Sequence, residues 1–232
     1  MCPCSRKDGS CNDPDRSARS KYLNWKKLGR MLKLLKVSIT GDLSSGKTEA
    51  SRIFQELGAF VVSADKISHS FLILHTHIGC QIVDLLGPEV IVDGTLSSRA
   101  MAEKVFKSPS LLEGLERILH PEVCRIIEEQ YDQAAQSRRY PLFVAEVPLL
   151  YEIHYADWFD KVILIAADED VRRRRFIKKT GFSGENFYQR CARFSDFAEK
   201  AAQADIVIEN NGSKEEFHQK VEEYFYALKG AI

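Results

Sequence analysis

The chain has 232 residues, of which 44% are apolar and 28% charged, and its 33 basic side chains balance 33 acidic ones. This is the composition of an ordinary globular protein able to bury a full core. The zero net charge gives no global argument for a nucleic-acid partner or an anionic membrane, and no apolar run approaches the length needed to span a bilayer.

Residues 1–30 are polar, contain Gly, Pro, Ser and several charges, and show no sustained period. They read as a disordered or loosely attached, dispensable extension. No apolar h-region follows Met1, so no secretory signal is visible. Met31 lies just before the first strand, where a compact chain can begin. Cys2, Cys4 and Cys11 crowd this segment without a fourth ligand at zinc-like spacing. Cys80, Cys124 and Cys191 are scattered singly and read as reduced, small apolar side chains of a cytoplasmic protein.

The apolar run at 34–40 predicts a buried strand, and 47–57, with Ile53, Phe54 and Leu57 on one face and Gly58 at its end, predicts a helix. Between them lies Gly41-Asp42-Leu43-Ser44-Ser45-Gly46-Lys47-Thr48, a full G-x-x-x-x-G-K-[ST] phosphate loop. Gly41 and Gly46 open backbone angles closed to other residues. The loop amides can then face phosphate oxygens at the positive end of the helix. Lys47 reaches the β- and γ-phosphates and the Thr48 hydroxyl takes Mg²⁺. We assign Gly41, Leu43, Ser44, Ser45, Gly46, Lys47, Thr48 and Glu49 to ATP.

Ala59–Val62 predicts a second strand, parallel to the first, and ligands of such sheets sit beyond the carboxyl ends of the strands. Asp65, just past that end, either faces the phosphate-loop crevice or caps the helix after it; the two roles are compatible. Residues 66–140 are mostly helical in pattern, with apolar residues three or four apart at 78–86, 99–106 and 111–131, punctuated by Pro88, Gly94, Pro109 and Pro121. So long an insertion between sheet strands predicts a helical subdomain over the phosphate loop. His69, His75 and His77 within it suit partly solvated side chains better than a metal set.

A third strand spans 141–148 and carries Glu146, a carboxylate that is costly in a core strand without a partner. The partner is either Mg²⁺, reached through water as for a Walker-B acid, or a local salt bridge. A fourth strand follows at 160–166. The basic run Arg172–Lys179 then reads as a solvated face, a nucleic-acid patch or, with Gly181 and Gly184 as hinges, a mobile lid over the triphosphate. The neutral charge balance favours the lid. A fifth strand lies within 204–212. Ser213 and Glu216 form a capping box for a last helix with Phe217, Val221, Phe225 and Leu228 as its stripe.

Taken together, these segments resemble dephospho-coenzyme A kinases over about residues 34–228. The resemblance rests on the phosphate loop, Ala64-Asp65, Arg99 ahead of Val105-Phe106, Leu119-His120-Pro121, Val147-Pro148-Leu149-Leu150-Tyr151-Glu152, Arg175, and Ala204–Gly212 with its Asn-Asn-Gly ending. It implies a three-layer α/β/α P-loop kinase with a five-stranded parallel sheet, a helical coenzyme-binding subdomain and a lid. The kinase domain would cover 31–230: core 31–65, 141–167 and 195–230, acceptor subdomain 66–140, lid 168–194. The implied reaction moves the γ-phosphoryl group of ATP, with Mg²⁺, to the ribose 3′-hydroxyl of dephospho-coenzyme A. Catalysis would fall to Asp65, Lys47 and Arg175. Asp65, Arg99, His120 and Pro148 would meet the acceptor, Asn211 would approach the adenine, and Thr48 and Glu146 would hold the metal. Family members usually have glycine where this chain has Asp42 and Ser44, an acid at Ser63, aspartate at Glu146, glutamine at Arg172 and Phe194, and arginine at Lys179. Asp42 is expected to point outward, away from the triphosphate.

Overall fold

The computed structural model describes residues 34–230; the N-terminal extension, with Cys2, Cys4, Cys11 and Met31, lies outside them. Five strands form one sheet: β1 (Leu35–Gly41), β2 (Phe60–Ser63), β5 (Leu142–Glu146), β6 (Lys161–Ala166) and β7 (Ile206–Glu209). Their order is β2-β5-β1-β6-β7, with every neighbouring pair parallel. Burial on both faces turns the inner strands β5 and β6 into nearly continuous apolar runs, whereas the edge strand β7 alternates in exposure. In β5 all five residues are buried, yet Leu142 and Val144 serve one layer while Phe143 and Ala145 serve the other, as the two-residue period requires.

On one face lie α1 (Lys47–Glu56) and α9 (Lys214–Gly230), whose Ile53, Phe54, Phe217, Val221 and Phe225 pack on Val37, Ile39, Ile163 and Ile165. The start of α9 is fixed as its sequence predicts: Ser213 N–H donates to Glu216 Oε2 at 2.9 Å and Glu216 N–H to Ser213 Oγ at 3.1 Å. On the other face lie α2 (Ala64–Ser70) and the second half of α5 (Pro109–Ser137), with Ile67, Val123, Ile127 and Ala134 against Phe143 and Val162. This is the three-layer α/β/α arrangement.

The region between β2 and β5 has a core of its own. There α3 (His77–Leu86), α4 (Ser98–Val105) and the first half of α5 bury Ile82, Leu86, Met101, Val105 and Leu115 together. Two features depart from the sequence reading. Pro121 does not interrupt the helix; α5 runs through it for 29 residues. A proline there removes one backbone hydrogen bond. It sits where α5 passes from one core to the other, and apolar contacts on both sides hold the helix across the gap. The second is a hairpin, β3 (Ile91–Val92) with β4 (Thr95–Leu96), turned by Asp93 and Gly94 at φ 51° and 74°. Strands of two residues are too short to show a period.

After β6 come α6 (Glu169–Thr180), α7 (Gly184–Cys191) and α8 (Phe197–Gln203). The basic run lies on α6, with Glu169 and Asp170 in its first turn and Lys178 and Lys179 in its last, matching the helix dipole. Gly181 ends α6 at φ 72°, whereas Gly184 already belongs to α7, whose N-cap Ser183 accepts from Asn186 N–H.

Candidate active site

The loop from Gly41 to Lys47 joins β1 to α1 at the carboxyl edge of the sheet. Its two glycines answer to close approach as much as to backbone angle. At Gly41 (φ 144°) a Cβ would stand 2.4 Å from the Ile165 carbonyl oxygen, and at Gly46 (φ 114°) it would stand 2.2 Å from Asn210 Nδ2. Ser44 is also left-handed, at φ 61°. That explains the glycine expected from the resemblance, and serine costs on the order of 1 kcal/mol there.

The loop is braced from beneath. Asn210, buried just past β7, donates from Nδ2 to the Ser45 carbonyl at 2.7 Å. Its Oδ1 accepts from Arg175 Nη2 at 3.2 Å, and Arg175 Nη1 reaches the same Ser45 carbonyl at 3.5 Å. Lys47, 9% exposed, folds back to donate to the carbonyls of Gly41 and Asp42, both at 2.8 Å. Burial pulls its pKa from the ordinary 10.5 down to about 8, against the opposing pull of Glu146, Asp65 and Asp42.

Asp42 does not point outward. Its carboxylate is held under the loop by Lys200 of α8, itself 2% exposed, and by Arg172 Nη2 at 3.5 Å. Two cations cancel the charge that an acid would otherwise bring to a triphosphate. Phe194, in the place of an expected glutamine, sets its ring 5.2 Å from Lys200 Nζ and 5.9 Å from Lys47 Nζ, a cation–π contact with each.

Glu146 ends β5 beside β1, with Ile39 as its register partner, and is 5% exposed. Its Oε1 accepts from the Thr48 hydroxyl at 2.8 Å, so a hydroxyl and not a salt bridge is its partner. A hydroxyl beside one buried carboxylate suits Mg²⁺, which takes few protein ligands and fills its shell with phosphate oxygens and water. Among the described residues no three His, Cys, Asp or Glu side chains gather as a metal set, and His69, His75 and His77 form none.

A cleft of about 900 Å³ opens in front of the loop, lined by Leu43, Ser44, Gly46, Lys47, Thr48 and Glu49 on one side. Across it stand Asp65, His120 and Pro148, with Leu72, Met101, Val105, Leu112, Leu115 and Leu119 as an apolar wall. Asp65 lies in the first turn of α2, exposed to the cleft. It has no hydrogen bond or ion pair among the described residues, and the N-cap position belongs to Ser63. Burial lowers the pKa of His120 below the ordinary histidine value, opposed by Glu116 and helped by Arg193. The Pro148 carbonyl accepts from Thr40 Oγ1 at 3.3 Å.

Four sequence-predicted residues are not part of the cleft lining. Gly41 and Ser45 form the underside of the loop, and Ser45 Oγ is buried without a partner. Arg99 is 90% exposed and paired with Glu103 on its own helix. Asn211 exchanges hydrogen bonds with Asp168, at 2.8 and 2.9 Å. Conversely, Asn210, Lys200, Arg190 and Arg193 escaped the sequence reading. Asn210 stood in the quoted Asn-Asn-Gly segment, one position from the residue chosen. Lys200 showed no signal, because its partner Asp42 is 158 positions away. Arg190 lies in the last turn of α7 and Arg193 two residues past its end, and no local sequence pattern marks either.

The family model described as "Dephospho-CoA kinase" matches residues 35–216. A protein of Chlamydia abortus named "Dephospho-CoA kinase" is 72% identical over 202 residues, 87% of this chain and all of the relative. One of the same name from Protochlamydia amoebophila is 44% identical over 86% of this chain and 98% of the relative. Among solved structures, a Thermus thermophilus protein superposes with a TM-score of 0.70 at 29% identity, over 84% of this chain and 98% of that one. The dephospho-CoA kinase of Campylobacter jejuni, at 23% identity and a TM-score of 0.56 over 83% and 96%, agrees in fold. With its phosphate loop at the carboxyl edge of a parallel sheet, and matched from end to end of such relatives, the chain belongs to the dephospho-CoA kinase family.

Proposed function

We propose that this cleft transfers the γ-phosphoryl group of ATP to the ribose 3′-hydroxyl of dephospho-CoA, the step that completes coenzyme A. The observation that carries the reading is the juxtaposition of the braced phosphate loop with Asp65, a carboxylate of the same cleft that has no hydrogen bond or ion pair among the described residues. The hydroxyl oxygen forms a bond to the γ-phosphorus, the bond from that phosphorus to the β–γ bridging oxygen breaks, and ADP leaves with the electron pair. Asp65 orients the hydroxyl and takes its proton. Lys47 and Arg175 neutralise charge on the transferring group, and Asn210 holds both Arg175 and the loop in place. Thr48 and Glu146 are the residues that would hold Mg²⁺, which supplies further neutralisation of the β- and γ-oxygens. Most of the acceleration is positioning, because the protein forms no covalent bond.

We assign residues 66–140 to acceptor binding, with His120, Pro148 and the apolar wall facing the coenzyme. Residues 168–194 are assigned to a lid that shuts water out. Arg99, turned toward Glu103, takes no part in the arrangement seen. A cytoplasmic setting fits the free thiols of Cys80, Cys124 and Cys191. The test is one coupled assay of ADP release with ATP, Mg²⁺ and either dephospho-CoA or a panel of nucleosides. Turnover confined to dephospho-CoA supports the reading; turnover on the panel alone, or ATP binding without turnover, rejects it.

A further inference from the structure

The cations of the cleft are not equally engaged. Lys47 and Arg175 are tied to the phosphate loop, at the ATP end of the cleft, and Arg193 is paired with Glu116. Lys179 and Arg190 have no hydrogen bond or ion pair among the described residues, and of the two Arg190 is the one held in place. Its guanidinium lies 5.2 Å from the ring centroid of Phe106, 5.3 Å from Phe182 and 5.7 Å from Phe176. Phe176 is buried, whereas Phe106 and Phe182 are 43% and 48% exposed, unusual for phenylalanine unless a contact holds them. The three rings hold the cation in place without using its N–H donors, which make no hydrogen bond among the described residues and remain available for phosphate oxygens.

The position of this cation separates it from the ATP phosphates. Arg175 is tied to the phosphate loop through Ser45 and Asn210. Arg190 instead touches Phe106, which closes α4 in the acceptor region. Just past the end of the same helix, Arg193 bridges to Glu116 of α5, four residues before His120. Arg190 thus lines the cleft together with Phe106 and the apolar residues of the acceptor region. An acceptor with an adenosine at one end and a largely apolar pantetheine arm at the other carries its negative charge in between, on a diphosphate.

We propose that Arg190 is a specificity residue that binds the diphosphate of the acceptor and so separates dephospho-CoA from a bare nucleoside. The inference rests on the phosphotransfer reading above. The test uses the full chain with a saturating non-hydrolysable ATP analogue and Mg²⁺, and measures equilibrium binding of dephospho-CoA and of adenosine. Arg190→Met is expected to weaken dephospho-CoA by about 10- to 100-fold, as the loss of charge-assisted hydrogen bonds predicts, and adenosine by less than about twofold. Arg190→Lys restores only part of the loss, because it keeps the charge without the planar fork. Unchanged dephospho-CoA affinity in the Met variant, or an equal loss for adenosine, overturns the proposal. Should the Met variant melt early, the Lys variant decides by the same ratio: a larger loss for dephospho-CoA than for adenosine supports the assignment, and equal effects overturn it. Wild-type protein that turns over no dephospho-CoA rejects the reaction itself, whatever the variants do.

Discussion

The two walls of the cleft are built on opposite plans. On the nucleotide side, the charged and amide side chains already have partners before any ligand arrives: Lys47 on two carbonyls, Asn210 under Ser45, Glu146 on Thr48, Asp42 between Lys200 and Arg172. On the acceptor side, Asp65 and Arg190 have no hydrogen bond or ion pair among the described residues, and they stand beside a largely apolar stretch from Leu72 to Leu119, although Arg193 is already paired with Glu116. The first wall is pre-organised for a polyanion common to many kinases, so it loses little on binding. The second leaves these two charged groups uncommitted, as a surface must if it is to choose among acceptors.

The sharpest way to break this contrast is at Lys47. Lys47→Ala is expected to leave the fold intact and remove transfer by at least about 1,000-fold, since the charge it neutralises is made in the transition state; near-normal ADP release in that variant would reject the nucleotide wall as described. On the other wall, Asp65→Asn should slow transfer by at least about 100-fold, the size of a lost general base, while ATP affinity stays within about twofold. If ATP affinity collapses instead, Asp65 belongs to the metal shell, and the division into two walls fails. A third test asks whether Asp42 is a brace. Asp42→Asn strands Lys200 without its carboxylate, which for a buried pair costs about 3 kcal/mol, or roughly 6–12 °C in Tm for a domain of this size. Adding Lys200→Met should return most of that loss, and calorimetry showing equal Tm values for single and double variants would dismiss the pairing.

The smallest effect is a pH dependence. With a pKa of about 8, Lys47 is charged at pH 7 and largely neutral at pH 9. Bound phosphate favours the ammonium, so the pKa rises on binding and ATP must bring in a proton above pH 8. Affinity therefore falls as pH rises through about 8, by at most about tenfold per unit. Titration calorimetry in buffers of different ionisation enthalpy should detect proton uptake at pH 9 and little at pH 7. A flat profile would show that Lys47 is already charged throughout.

The same contrast governs what was legible in the sequence. The sheet and the phosphate loop were readable because their signals are local: apolar runs, a fixed glycine spacing, and a Ser-x-x-Glu box. The position of Glu146 relative to the loop followed from strand order. What escaped was set by pairs far apart in the chain. Asp42 was expected to turn outward because nothing nearby announces Lys200. Pro121 was read as punctuation because proline usually ends a helix, and only tertiary packing overrides that tendency.

That packing has a thermal consequence. A single rod, α5, gives its first turns to one apolar cluster and its last to the sheet. Neither cluster can melt without tearing the rod from the other, so heat should disassemble both in one cooperative event rather than in two separate steps.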